Sequence, residues 1–304
     1  MENSIVLGVD IGGSHITAAL VNLETRTLIS GSHKRKAVDS MMDAEEIVTN
    51  WSEVINDSFG NIEVTSKRIG IAMPGPFDYK NGISLMQNQD KFDALYSLNI
   101  KEILAKRLEI PSENIRFIND ALSFLQGEIF CGAVRGQNRV LGLTLGTGLG
   151  SAIYKDGITE DADLWNSEFK DGIAEDYLSG RWFLKRYNEL SGNTVQGVKE
   201  LLQLSTPSAF ADQIFSEFAR NLADFIIPLI QKYKLGAIVI GGNISNAFKL
   251  FLPELNKILE DNALAVDVKI AHLKEDASLV GAASCWEDSY CLKLNLYENE
   301  TKYD

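Results

Sequence analysis

Val6-Leu-Gly-Val-Asp10-Ile-Gly12-Gly13-Ser14 and Val140-Leu-Gly-Leu-Thr144-Leu-Gly146-Thr147-Gly148 are two versions of one phrase. The offset is 134 residues, from 6 to 140 and from 10 to 144. Ala18 and Ala152 keep that offset inside a second apolar run. Each copy predicts strand, tight glycine turn, strand, which is a β-hairpin with a small-residue tip. A hairpin that returns after a domain-sized interval predicts two related halves.

The flanking pattern supports this. After the first hairpin a third strand is expected through Leu28 and Ile29, then a helix from about Asp43 to Phe59 with Ile47, Trp51, Val54 and Ile55 on one face. Arg68–Met73 reads as a buried strand, Lys101–Leu108 as a helix and Ile115–Ile118 as a strand. In the second half a long helix is predicted from about Pro207 to Tyr233, with Ser205 and Thr206 as candidate caps and Pro228 as a kink. Ala237–Ile240 is a buried strand. Phe248, Phe251 and Leu255 then recur at helical spacing, with Pro253 as an expected break. A last helix covers Ala277–Trp286, and a polar tail runs from Leu292 to Asp304. Strands alternating with helices in both halves predict an α/β fold.

Composition narrows the function. The chain has 304 residues, 45% hydrophobic and 23% charged, which suits two soluble domains. Its net charge is −13, and its densest basic run is Lys34-Arg35-Lys36, read as a solvated face. A nucleic-acid groove needs clustered positive charge, so no nucleic-acid partner is expected. Cys131, Cys285 and Cys291 are odd in number and far apart, which argues against a disulfide framework. No apolar run approaches the roughly 20 residues of a membrane span. No leader is recognised, and the cytoplasm is the expected location.

Glycine lets a backbone come close to a phosphate and aim its N–H groups at it. Gly12, Gly13 and Ser14 follow a strand ending in Asp10, and Gly146, Thr147 and Gly148 follow one ending in Thr144. Two such turns suit a nucleoside triphosphate, with Ser14, Thr144 and Thr147 adding hydroxyls. Asp10 is placed to hold Mg²⁺ through water. Neither turn ends in the Gly-Lys-Ser/Thr of a Walker loop, and neither leads into a helix as a dinucleotide fingerprint does. Gly241-Gly242-Asn243 joins a buried strand to a helix; it is either a plain strand–helix turn or one that lets a flat adenine ring lie against its backbone. Asp120 follows the strand Phe117-Ile118-Asn119 and opens a helix. It is either the helix N-cap or a general base for a hydroxyl attacking a phosphoryl group. Asn119 beside it suits a sugar hydroxyl.

Together these segments resemble the ROK family of sugar kinases, within the actin-like ATPase superfamily. The resemblance is carried by Asp10-Ile-Gly-Gly-Ser14, Asn119-Asp120-Ala121, Leu145-Gly-Thr-Gly-Leu-Gly-Ser151, Ile240-Gly-Gly-Asn-Ile-Ser245 and Gly281-Ala-Ala283, with Met73-Pro-Gly-Pro76 and Asp78 as a further matching turn. It covers about residues 4–285. It implies a bilobal, ribonuclease H-like α/β fold with the active site in a central cleft. The expected division is residues 1–119, completed by the C-terminal helix and tail from about 285 to 304, and residues 120–284. It also implies Mg-ATP as donor, Asp120 as base and a homodimer as the usual assembly.

The sugar-binding region departs from the family pattern. Many members carry Glu-x-Gly-His and then a cysteine-rich zinc site. Here Asp163-Leu-Trp-Asn166 and Asp171-Gly-Ile-Ala-Glu175 stand instead, without His or nearby Cys, so no zinc site is expected. On that alignment Asp163, Asn166 and Glu175 are sugar ligands. Asn88-Gln-Asp-Lys91-Phe92 replaces the family's Asn-Leu-Pro loop, with Asn88 or Lys91 as the substitute contact. His15 either touches a phosphate or is a loop histidine without a partner. Trp165 either stacks on a sugar or covers the site. The expected function is ATP-dependent phosphorylation of a hexose or related sugar. The alternative is a sugar-binding regulator of the same fold that has lost catalysis.

Overall fold

The computed structural model describes residues 4–89, 91–203 and 209–287. Ser205, Thr206, Pro207, Cys291 and the expected tail lie outside them. The chain divides into two compact units, residues 1–132 with 275–304, and residues 133–274.

The first unit is built on β1 (Ile5–Ile11), β2 (His15–Asn22), β3 (Thr27–Leu28), β4 (Lys34–Ala37), α1 (Ala44–Phe59), β5 (Ile69–Met73), the short pair β6 (Phe77–Asp78) and β7 (Ile83–Ser84), α2 (Ile100–Leu108), β8 (Ile115–Asn119) and α3 (Asp120–Phe130). Its main sheet has the order β3-β2-β1-β5-β8, with β4 also on β2. β1 and β2 are antiparallel, whereas β1, β5 and β8 run parallel. Asp43 starts α1 by accepting from the Glu46 N–H at 2.8 Å. The expected face of α1, from Ile47 through Trp51 to Ile55, is buried against Leu7, Val9, Ile11 and α2.

The second unit contains β9 (Arg139–Leu145), β10 (Leu149–Lys155), β11 (Ile158–Asp161), the short pair β12 (Glu168–Phe169) and β13 (Gly172–Ile173), α4 (Ala174–Leu178), α5 (Gly180–Ser191), α6 (Val198–Gln203), α7 (Ala209–Tyr233), β14 (Ala237–Gly241), α8 (Phe248–Asp261) and β15 (Asp267–Ile270). Its sheet order is β11-β10-β9-β14-β15, with β9 and β10 antiparallel and β9, β14 and β15 parallel. This repeats the five-strand order of the first sheet, without a counterpart of β4. Leu141, Leu143, Ile238 and Ile240 pack with Phe183, Phe215, Phe218 and Phe251 in one core.

The duplicated hairpin is real, but its second turn is one residue shorter. Val9 pairs with Ala18 in the first copy, whereas Leu143, its counterpart, pairs with Ser151. The counterpart of Ala18 in the second hairpin is therefore Ser151, and the expected match with Ala152 is corrected. The Gly12 N–H donates to the His15 carbonyl across two tip residues, and the Gly146 N–H donates to the Gly148 carbonyl across one.

A final helix, α9 (Asp276–Ser284), returns to the first unit and covers the other face of its sheet. A Cβ on Gly8 would lie 2.0 Å from the Leu279 carbonyl oxygen, and one on Gly70 would lie 1.9 Å from that of Ala282. Gly127 of α3 and Gly281 of α9 bring those helices into backbone contact, since a Cβ on Gly281 would lie 1.7 Å from the Ser123 carbonyl. This contact explains the boundaries observed. By packing, all of α3 and α9 belong to the first unit, so the division falls after Gly132 and before Glu275. The expected division fell after residue 119 and near 285.

Pro253 does not break its helix: α8 runs through it from Phe248 to Asp261. An interior proline costs ~3 kcal/mol. Burial of Phe251, Leu255 and Leu259 offsets this at about 1.5–3 kcal/mol per side chain. α7 likewise continues through Pro228. Ile29 lies just past β3, and Cys285 and Trp286 just past α9. Among the described residues no helix is long and apolar enough to cross a membrane.

Candidate active site

In the first unit the carboxyl ends of the parallel strands converge on two aspartates. Asp10 is paired across β1 and β5 with Ala72, and Ala72 across β5 and β8 with Ile118. Asp10 is thus one row from Asn119, with Asp120 next along the chain. Carboxyl ends of parallel strands are where α/β sheets bind ligands.

Asn119, rather than Asp120, is the cap of α3. Its Oδ1 accepts from the Ala121 N–H at 2.8 Å and the Leu122 N–H at 3.2 Å. Its Nδ2 donates to the Tyr79 hydroxyl at 3.2 Å, and that hydroxyl donates to the Met73 carbonyl at 3.1 Å. Asp120 is therefore released from capping and stands as the first helical residue, accepting from its neighbour Ala121 at 2.9 Å. Its carboxyl is held above the usual range by desolvation, against the Ala121 N–H and the Lys91 ammonium, which lower it. Asp120 also presents surface to solvent, so this shift comes from surrounding protein rather than a sealed pocket.

Asp10 is perturbed in the same direction. Burial, then the Asp120 carboxylate, push its carboxyl up to about 7, with Glu275 adding and Arg35 opposing. The register shows how Arg35 reaches it: Asp10 pairs with Thr17, and Thr17 with Arg35, in one row across β1, β2 and β4. Arg35 also pairs with Glu275. It is thus part of the site's electrostatics, and Lys36 bonds to Asn50 and Glu53. The basic run is more than a solvated face. Two crowded carboxylates that resist joint ionisation fit a divalent cation, which would relieve their repulsion.

The glycines of the turns divide into two kinds. Gly12, Gly13 and Gly146 do not have positive φ, and a Cβ on any of them would meet no protein atom within 3.7 Å. Neither backbone freedom nor packing within the chain explains them, and their bare backbone is open to a ligand. Gly148 and Gly242 are different. A Cβ on Gly148 would lie 2.7 Å from Glu175 Oε2, and one on Gly242, at φ 81°, would lie 2.3 Å from the Leu145 carbonyl. Ser14 Oγ is 2.9 Å from His15 Nδ1, so His15 has a partner.

The second unit brings Thr144, Gly146, Thr147 and Gly148 beside Gly241, Gly242 and Asn243. Gly241 pairs with Thr144 across β14 and β9. The turn is braced from behind: the Leu149 N–H donates to Glu175 Oε2 at 3.0 Å, and the Gly180 N–H donates to the Gly146 carbonyl at 2.6 Å. Glu175 also pairs with Arg181. No sequence signal marked this brace, since it joins residues 26 to 34 positions apart.

Of the residues aligned with sugar ligands, Asp163 has a left-handed backbone at φ 45° and accepts from the Trp165 indole N–H at 2.8 Å. That bond fixes the ring of Trp165, which is 44% exposed. Asn166 is exposed in the same loop, which Ser151 Oγ anchors by accepting from the Leu164 N–H at 3.0 Å. Asn88 is exposed in the first unit, with φ 58°. A cavity of about 850 Å³ in the second unit is lined by Glu175, Arg186, Glu217 and Asp224 among others. It contains neither glycine turn and mixes both signs of charge.

The family model described as "ROK family" matches residues 6–160 and 170–289. A glucokinase from Thermotoga maritima is 26% identical, over 92% of this chain and 96% of that protein. An N-acetyl-D-glucosamine kinase from Photobacterium profundum is 24% identical, over 85% and 90%. Among solved structures, a ROK hexokinase from Thermus thermophilus superposes with a TM-score of 0.75 at 21% identity, covering 96% of this chain and 99% of that one. A ROK glucokinase from Streptomyces griseus, solved with glucose and AMPPNP, gives 0.71 at 24% identity, covering 92% and 98%. The duplicated strand–turn–strand sheets are those of the actin-like ATPase fold, and the chain belongs to the ROK family.

Proposed function

We propose that this protein is a sugar kinase that transfers the γ-phosphoryl group of ATP to a hydroxyl of a hexose or N-acetylhexosamine. The observation that carries the reading is Asp120: a carboxylate at a strand end, freed from capping by Asn119 and raised in basicity by desolvation. It takes the proton of the attacking hydroxyl. Phosphoryl transfer needs little more covalent chemistry than this, because positioning and charge stabilisation do most of the work.

The glycine turns supply the positioning. Gly12, Gly13 and Ser14 in the first unit, and Thr144, Gly146, Thr147 and Gly148 in the second, offer backbone N–H groups and hydroxyls to the phosphates of ATP. Gly241, Gly242 and Asn243 offer backbone to its adenosine. Asp10 is the residue that holds Mg²⁺, through water. When bound, Mg²⁺ supplies charge neutralisation to the phosphates. Asn119 orients the sugar with the Nδ2 proton that Tyr79 leaves unused. Asn88, Asp163, Asn166 and Glu175 are the further sugar contacts.

The regulator reading rests on Asp163 and Asn166 alone. Asp10, Asp120 and all three glycine turns are retained, and the relatives at 26% and 24% identity are named as kinases.

The test is product analysis. The protein is incubated with Mg-ATP and a panel of hexoses and N-acetylhexosamines, and sugar phosphates are read by mass spectrometry. One or a few monophosphates are expected. No phosphorylated sugar, from a protein that still gains melting temperature with a sugar, would return the regulator reading.

A further inference from the structure

Lys91 enters the first unit's site from the loop that departs from the family pattern. Its direction is fixed by its neighbour. Phe92 is fully buried, edge-on to Trp51 with ring centres 5.5 Å apart. The Phe92 N–H donates to the Ser40 carbonyl at 2.9 Å, and its φ of 57° is rare for a bulky side chain. These contacts of Phe92 set the backbone from which Lys91 projects.

Lys91 projects between the phosphate turn and the base. A Cβ on Gly13 would meet the Cβ and Cδ of Lys91 at 4.0 Å each, and Ser40 Oγ at 3.8 Å. The Lys91 stem therefore flanks the bare backbone of the first glycine turn. Its ammonium also acts on Asp120, drawing that carboxyl's proton affinity down. Among the described residues Lys91 has no ion pair within 4 Å. A sugar hydroxyl gains little from such a cation. A phosphoryl group in flight carries charge on its equatorial oxygens and gains a great deal.

We propose that Lys91 is a catalytic residue whose ammonium binds the phosphoryl oxygens during transfer, rather than a ligand of the sugar. This rests on the kinase reading above. In the step, the sugar oxygen forms a bond to the γ-phosphorus as the bond from that phosphorus to the bridging oxygen of ADP breaks. The hydroxyl proton passes to Asp120, and Lys91 keeps its three protons throughout.

The experiment compares wild type, Lys91→Met and Lys91→Arg in steady state, with a melting temperature for each. Lys91→Met is expected to lower kcat about 10²–10³-fold, the usual loss of one charge-stabilising donor, with sugar KM within about threefold of wild type. Lys91→Arg is expected to restore part of kcat. The pH profile supplies an independent readout. Asp120 is faced by Asp10 from β1, and Asp10 in turn by Arg35 from β4 and Glu275 before α9, all unchanged in the variants. Removing Lys91 alone should move the acid limb of kcat/KM to higher pH. A raised sugar KM at unchanged kcat would overturn the proposal and make Lys91 a sugar ligand. Unchanged kinetics in Lys91→Met would also overturn it, leaving the kinase reading intact. A wild type that phosphorylates no sugar overturns both. Should Lys91→Met not fold, Lys91→Arg and Lys91→Gln decide by the same criteria.

Discussion

The two halves share a sheet order and a strand–turn–strand element, yet their strands carry different side chains at corresponding ends. Asp10 in the first half corresponds to Thr144 in the second. β8 ends in Asn119 and leads to Asp120, whereas β15 ends in Ile270 and leads to Ala271. The turns differ as well. The first has two tip residues and open backbone at Gly12 and Gly13. The second has one, and is braced through Gly146 and Leu149 by Gly180 and Glu175. On the proposed function, the duplicated scaffold is divided into a half that reacts and a half that holds.

The largest effect should fall on the reacting half. Asp120→Asn is expected to lower kcat by about 10²–10⁴-fold. Thr144→Val, on the holding half, removes one hydroxyl and should cost no more than roughly tenfold. Comparable losses in the two variants, read by steady-state kinetics, would erase the division.

Asp10 should show both a functional and a stability signature. Asp10→Asn is expected to cost about 10–100-fold in Mg-dependent turnover, as for a residue that orients a metal's water shell. The carboxyl, ordinarily at 3.8, is pushed up to about 7 in the folded chain. The fold therefore binds a proton there that the unfolded chain has released. Its contribution to stability is present below pH 4 and is lost as pH rises through 7. Asp10→Asn should thus melt higher than wild type at pH 8, with the advantage shrinking as pH falls and gone below about pH 4. Thr144→Val should show no such pH dependence.

The two kinds of glycine sharpen the contrast within the holding half. Gly146→Ala has room for its methyl group, so stability should hold while KM for ATP rises roughly tenfold through lost backbone contacts. Gly242→Ala forces a positive φ and a backbone clash, and should lose about 1–3 kcal/mol in urea melts. The smallest effect is Glu175→Ala, which removes one acceptor behind the turn. KM for ATP should rise roughly threefold. A rise confined to the sugar KM would place Glu175 in the sugar site alone.

Much of this arrangement was legible in the sequence. The repeated phrase gave both hairpins, because a strand–glycine–strand pattern is local. α1, β5 and β14 followed from apolar periodicity. What could not be read depends on contacts between distant segments. α9 joins the first unit through Gly8, Gly70 and Gly127, more than 140 residues away in each case. The shortening of the second turn shows only in the ladder. Asn119 and Asp120 both suit a cap, and the two N–H groups reaching Asn119 settle the choice. Pro253 signals a break locally, and burial of Phe251, Leu255 and Leu259 overrides it.

The most direct measurement is ADP release by the wild type with saturating Mg-ATP, with and without the sugar found by product analysis. Release that rises by orders of magnitude with sugar, together with one sugar phosphate per ADP, is the result predicted. ADP release at the same rate with and without sugar, or none in either case, would contradict it.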